Sequence, residues 1–146
     1  MKKAKFLPAM LVTLLIGVGA AQAHDNAYLD SVKSANSGQV RVAGNYHYEL
    51  VVVKTSKEIK DNPIMVYVTN HAGQKISTAG ATGAATLLAG TEKSTATLVP
   101  DGDNRMKGSA RYGSTPDMKG IISITLPGKS AEQARFTPMA VTQAHS

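Results

Sequence analysis

Four histidines, His24, His47, His71 and His145, are the side chains best suited to chemistry in this sequence, which contains no cysteine. Without thiolates, thiolate zinc sites, iron–sulfur clusters and thiol catalysis are excluded, and a bound metal must be held by nitrogen, oxygen or thioether donors. His24 directly follows Ala21-Gln22-Ala23, a small-x-small cleavage signal. Cleavage after Ala23 makes His24 the mature N-terminus, where its free α-amine and its own Nδ1 can chelate one ion. The amine titrates at about 7.7–8.0 when free, so a metal displaces its proton at little cost near neutral pH. Planar nitrogen donors suit Cu(II) best among the divalent ions, and a second imidazole completes a histidine brace. The alternative is that His24 is a plain polar residue after an export signal. Cleavage after Ala20 or Ala21 would leave it internal and abolish the chelate.

His47 has Glu49 two residues on, hence on the same face of a strand. A carboxylate that orients an imidazole is a common support for a metal ligand; Glu49 could also coordinate axially. The alternative is a surface histidine beside an Arg41–Glu49 ion pair, whose cation would disfavour bound metal. His71 falls in the turn Asn70-His71-Ala72-Gly73 and becomes a ligand if that turn faces the N-terminus. His145 lies in the last two residues, where disorder is the default. The expected metal set is therefore His24, His47, Glu49 and His71, with copper the expected ion and no other cofactor. Met106 alternates with small apolar residues and reads as core. Met118 and Met139 fall in loop and tail contexts where exposure is expected. They lack M-x-x-M spacing, so gap-filling is their default role.

Catalytic motifs are missing: no G-x-S-x-G, no H-E-x-x-H and no Gly-rich phosphate loop. Asp101-Gly102-Asp103-Asn104 is read as a turn, since no Glu closes a calcium loop. The chain is not expected to be an enzyme.

The elements that must position these residues are strands. Residues 24–38 read as an extended lead-in. Gln39–Ala43, Tyr46–Val53, Ile64–Thr69, Thr82–Ala89, Ser94–Val99, Arg105–Tyr112, Ile121–Leu126 and Ala134–Thr137 read as strands separated by Gly, Asp, Asn and Pro turns. In Arg105–Tyr112 the alternation is strict, with Met106, Gly108, Ala110 and Tyr112 on the inner face. The fold class is all-β: an immunoglobulin-like sandwich, or as an alternative a small open barrel. For the first hairpin a three-residue loop, Ala43-Gly44-Asn45, places Val42 opposite Tyr46 and gathers Arg41, His47, Gln39 and Glu49 on the other face. A two-residue loop, Gly44-Asn45, would mix apolar and polar residues on each face, so the three-residue register is preferred.

The expected organisation is a signal peptide over 1–23, an N-terminal segment over 24–38, a β-domain over 39–138 and a tail over 139–146. Lys2, Lys3 and Lys5 precede an apolar run from Phe6 to Ala20, shorter than the roughly 20 residues of a membrane span. The 146 residues carry 16 Lys plus Arg and 10 Asp plus Glu, a charge of +6. Removing the three signal lysines leaves 13 against 10, or +3. That mild, scattered charge excludes the concentrated basic face of a nucleic-acid binder. No membrane span remains after cleavage, and a periplasmic location is expected.

Two segments carry a family resemblance. Val66-Tyr67-Val68-Thr69-Asn70-His71-Ala72-Gly73-Gln74-Lys75-Ile76 resembles the corner of small exported immunoglobulin-like domains, with Asn70 and Lys75 in place of the usual Asp and Pro. Ser37 to Val52 is similar to a His-Gly-Gly…Gly-x-Tyr-His-x-Glu segment in small exported proteins of metal-resistance loci, with Ser37 in place of the first His. The relatives are FixH/YtkA-like proteins and domains attached to heavy-metal efflux adaptors. The resemblance implies an exported immunoglobulin-like domain associated with metal handling. The expected function is a periplasmic metal-binding or metal-chaperone protein, accessory to heavy-metal efflux. The alternative is a module that binds no metal and docks on an envelope or efflux partner.

Overall fold

The computed structural model describes residues 25–140. Its elements are a helix α1 (Asn26–Ser31) and eight strands: β1 (Gln39–Ala43), β2 (Tyr46–Val52), β3 (Lys60–Asn70), β4 (Thr82–Ala89), β5 (Glu92–Pro100), β6 (Arg105–Tyr112), β7 (Lys119–Thr125) and β8 (Glu132–Phe136). They form one antiparallel sheet in the order β1-β2-β3-β6-β5-β4-β7-β8. The fold is all-β, as the alternation predicts, and the sheet curls until β1 and β8 nearly meet. β5 makes the corner, pairing with β4 over most of its length and with β6 only through Val99 and Pro100.

Alternate residues from the strands fill the inside. Tyr48, Leu50, Ile64, Val66, Val68, Leu87, Leu98, Met106, Tyr112, Ile122 and Ile124 are all buried, and Met118 joins them. Met118 is therefore core and not an exposed thioether, while Met139 packs half-buried against the same cluster. The strict alternation of β6 holds, with Met106, Ala110 and Tyr112 buried and Lys107, Ser109 and Arg111 exposed.

Side chains complete what the backbone ladder leaves open. At the β1–β8 seam, Gln39 Nε2 donates to the Thr137 carbonyl at 3.2 Å and its Oε1 accepts the Thr137 N–H at 2.7 Å. Tyr48 Oη donates to the Glu132 carbonyl at 3.2 Å across the interior. Tyr112 Oη donates to the Pro63 carbonyl at 2.6 Å and accepts the Val53 N–H at 3.0 Å. Burial pushes both phenols up from their ordinary range, so both remain hydroxyl donors.

Two expectations are corrected here. The β1–β2 register pairs Val42 with His47 and Ala43 with Tyr46, so the loop is the two-residue Gly44-Asn45. Gly44 sits at φ 57°, the positive value that a two-residue hairpin turn needs at its first position. The three-residue register assumed that the polar face would be solvated. It is covered instead, by residues 25–38. That segment is no extended lead-in, because Asn26–Ser31 is helical. Asp25 caps the helix by accepting the Tyr28 N–H at 2.8 Å, and Leu29 is buried beneath it.

Tyr112→Phe should leave the Val53 N–H and the Pro63 carbonyl without this partner. A loss of about 1–3 kcal/mol in denaturant unfolding is expected, with an unchanged m-value.

Candidate metal centre

The strand register brings two of the four histidines together. His47 on β2 stands opposite Thr69 on β3. Cross-strand partners share a face, and His71 lies two residues beyond Thr69, at the same side of the sheet. The turn that carries His71 is held by Asn70: its Oδ1 accepts the N–H groups of Ala72 and Gln74, both at 2.9 Å, and its own N–H donates to the Gln74 carbonyl. The turn thereby faces the β1–β2 hairpin. His71 Nδ1 is 3.0 Å from His47 Nε2, and His71 Nε2 is 3.1 Å from the Gly44 carbonyl. The rings meet edge to face, 4.6 Å between centroids.

These contacts assign the protons. A carbonyl only accepts, so His71 Nε2 carries a hydrogen. In the neutral ring His71 Nδ1 is then a lone pair, and His47 Nε2–H is its donor. His47 is buried, at 7 % exposure, and His71 is half-buried.

Glu49 shares the face with His47 but is committed elsewhere. Its carboxylate accepts the Asn36 N–H at 2.9 Å, Asn36 Nδ2 at 3.0 Å and the Gly38 N–H at 2.8 Å. Gly38 is needed for this approach: a Cβ there would lie 2.5 Å from the Leu50 carbonyl and 2.9 Å from Glu49 Cγ. Glu49 thus ties the N-terminal segment over the outer face of β1, β2 and β3. A 340 Å³ cleft remains between them, lined by Leu29, Val32, Tyr67 and Lys75 as well as His47 and Glu49.

Arg41 does not stand beside His47. It pairs across the strands with Tyr48, so it starts from the other face of β1. Its partner is Asp30 of α1, with Nη1 to Oδ1 at 2.7 Å, and not Glu49. The cation that would have disfavoured metal at His47 is therefore both turned away and neutralised.

His24 and His145 lie outside the described residues. Among the described residues no group of three or more His, Asp or Glu side chains is arranged to hold a metal. The contribution of residues 25–38 was the part that residue patterns missed. Its signals were Asp25 three positions before Tyr28, an N-cap spacing, and the apolar pair Leu29 and Val32.

Glu49→Gln keeps one acceptor and sets an amide against the Asn36 and Gly38 donors. It should cost about 1.5–3 kcal/mol and speed amide exchange at Asn36 and Gly38 far more than in β3 or β6. In metal-free protein, nitrogen-15 spectra should show His71 as the Nε2–H tautomer, and His47→Ala should release that preference. Comparison with protein-family models, with curated proteins and with solved structures returns no match to this chain.

Proposed function

We propose that this chain is an exported, periplasmic metal-binding protein of the metal-chaperone kind, that it holds Cu(II), and that it is accessory to heavy-metal efflux. The observation that carries the reading is the 3.0 Å separation of His47 Nε2 and His71 Nδ1. Two nitrogens at that separation, each about 2.0 Å from one ion, subtend roughly 95° at it. Both rings would turn slightly from their mutual hydrogen bond to direct these nitrogens at one ion, and imidazole nitrogens suit Cu(II). His47 Nε2 and His71 Nδ1 would hold the ion, with His47 carrying its hydrogen on Nδ1 in place of Nε2. Anchored elements supply both imidazoles: β2 carries His47, and the Asn70 turn carries His71.

Two imidazoles alone make a weak site. His24, with its amine and Nδ1, is the proposed completion. Asp25, the next residue, caps α1, and Leu29 of α1 lines the same cleft as His47. Glu49 serves this site through the segment it anchors, by bonding Asn36 and Gly38, which follow α1. The imidazoles that this reading uses are His24, His47 and His71.

Cu(II) titration of the mature protein, followed by electron paramagnetic resonance, tests the proposal. One equivalent should bind with a nitrogen-rich tetragonal signal. His47→Ala, His71→Ala and His24→Ala should each weaken binding by about 10- to 100-fold. An added Ala before His24 should weaken it comparably by blocking the amine. Uptake no tighter than that of an unrelated basic protein would refute the metal reading.

A further inference from the structure

A second concavity is separate from the histidine pair. It is a 610 Å³ groove on the outer side of the sheet, where β4, β7 and β8 meet the start of α1 and β1. Its outward apolar lining is Leu88 with half-buried Ile121, while Phe136, at its border, belongs to the core. Leu88 stands 42 % exposed, an outward leucine on a strand whose own register gives no reason for one. Register explains the clustering: Leu88 is opposite Lys119, Thr86 is opposite Ile121, and Ile121 is opposite Arg135. The outward side chains of three strands thus form one patch.

Lys93, Lys119 and Arg135 bring cations to the same groove, and no Asp or Glu lines it. All three are exposed. Lys93 and Arg135 enter no ion pair among the described residues, and Lys119 feels Asp117. Arg41 closes one side, already held by Asp30. An apolar floor with a cationic, acid-free rim complements a molecule with a hydrocarbon body and one negative head. The volume lies in the range of small-molecule sites, about 300–1,000 Å³. Both edges of β4 and both edges of β7 are paired within the sheet, so the floor offers no backbone edge to an extended peptide.

We infer that this groove binds a free anionic amphiphile, namely a medium-chain carboxylate whose alkyl body lies on Leu88 and Ile121 and whose head meets Lys119 and Arg135. The inference does not rest on the metal reading.

Dodecanoate is the probe, measured by calorimetry and by displacement of 8-anilino-1-naphthalenesulfonate, with dodecanol as the uncharged control. One dodecanoate should bind saturably, more tightly than dodecanol and more weakly as salt is raised. Lys119→Gln combined with Arg135→Gln should weaken dodecanoate roughly five- to tenfold and leave dodecanol unchanged. Leu88→Glu should weaken dodecanoate at least as much; the side chain is exposed, and an unchanged thermal midpoint shows that the fold is intact. Several outcomes overturn the inference: no saturation, equal binding of dodecanol, or indifference to both variants. Retention only on anionic vesicles, or only by an acidic peptide, overturns it as well.

Discussion

The buried carboxylate of Glu49 is the constraint from which the candidate centre follows. A carboxyl side chain that is only 6 % exposed is costly unless donors replace its water. Asn36 and Gly38 supply them, two backbone N–H groups and one side-chain amide. Satisfying Glu49 therefore requires residues 36–38 to lie against β2, and the chain before them must follow. Leu29 then finds cover, Asp30 reaches Arg41, and His47 loses its water. One electrostatic requirement turns an outward polar face into an interior.

The sheet beneath is stabilised in a different way. Its core is light, built from Val, Ile, Leu and Ala with few aromatics, and it has no disulfide to limit the unfolded chain. Curling brings distant strands close enough for side chains to bond backbone groups across the interior and the seam. Tyr48, Tyr112 and Gln39 do this, each reaching strands or loops far away in sequence. Buried phenols that stay protonated are suited to it, because each can donate to a carbonyl while its ring fills core volume.

Most of the strands were legible. Gln39–Ala43, Thr82–Ala89 and Arg105–Tyr112 begin and end where alternation and turn residues place them. A sandwich was the expected closure and a small open barrel the alternative; the eight strands form one curled sheet, because alternation specifies faces and not curvature. The hairpin register failed for a definite reason. Choosing the loop that separates polar from apolar residues assumes that one face meets water, and here another part of the same chain covers that face. Arg41 was misplaced with it, because a one-residue slip moves every side chain to the opposite face.

Sequence alone determined the periodicity, the places where the chain turns and the inventory of donors, though not the register of the first hairpin: four histidines, no thiol, and a carboxylate two residues from His47. These depend on residue type and near-neighbour spacing, which the chain carries locally. Tertiary structure decided which histidines meet. His47 and His71 are separated by a full strand and a turn, and their 3.0 Å contact exists because β2 and β3 pair in one register and Asn70 bends the chain back toward Gly44. It also decided the role of Glu49. A carboxylate's partners are set by whichever donors folding brings to it, and those came from a segment thirteen residues upstream that local pattern marked only as polar.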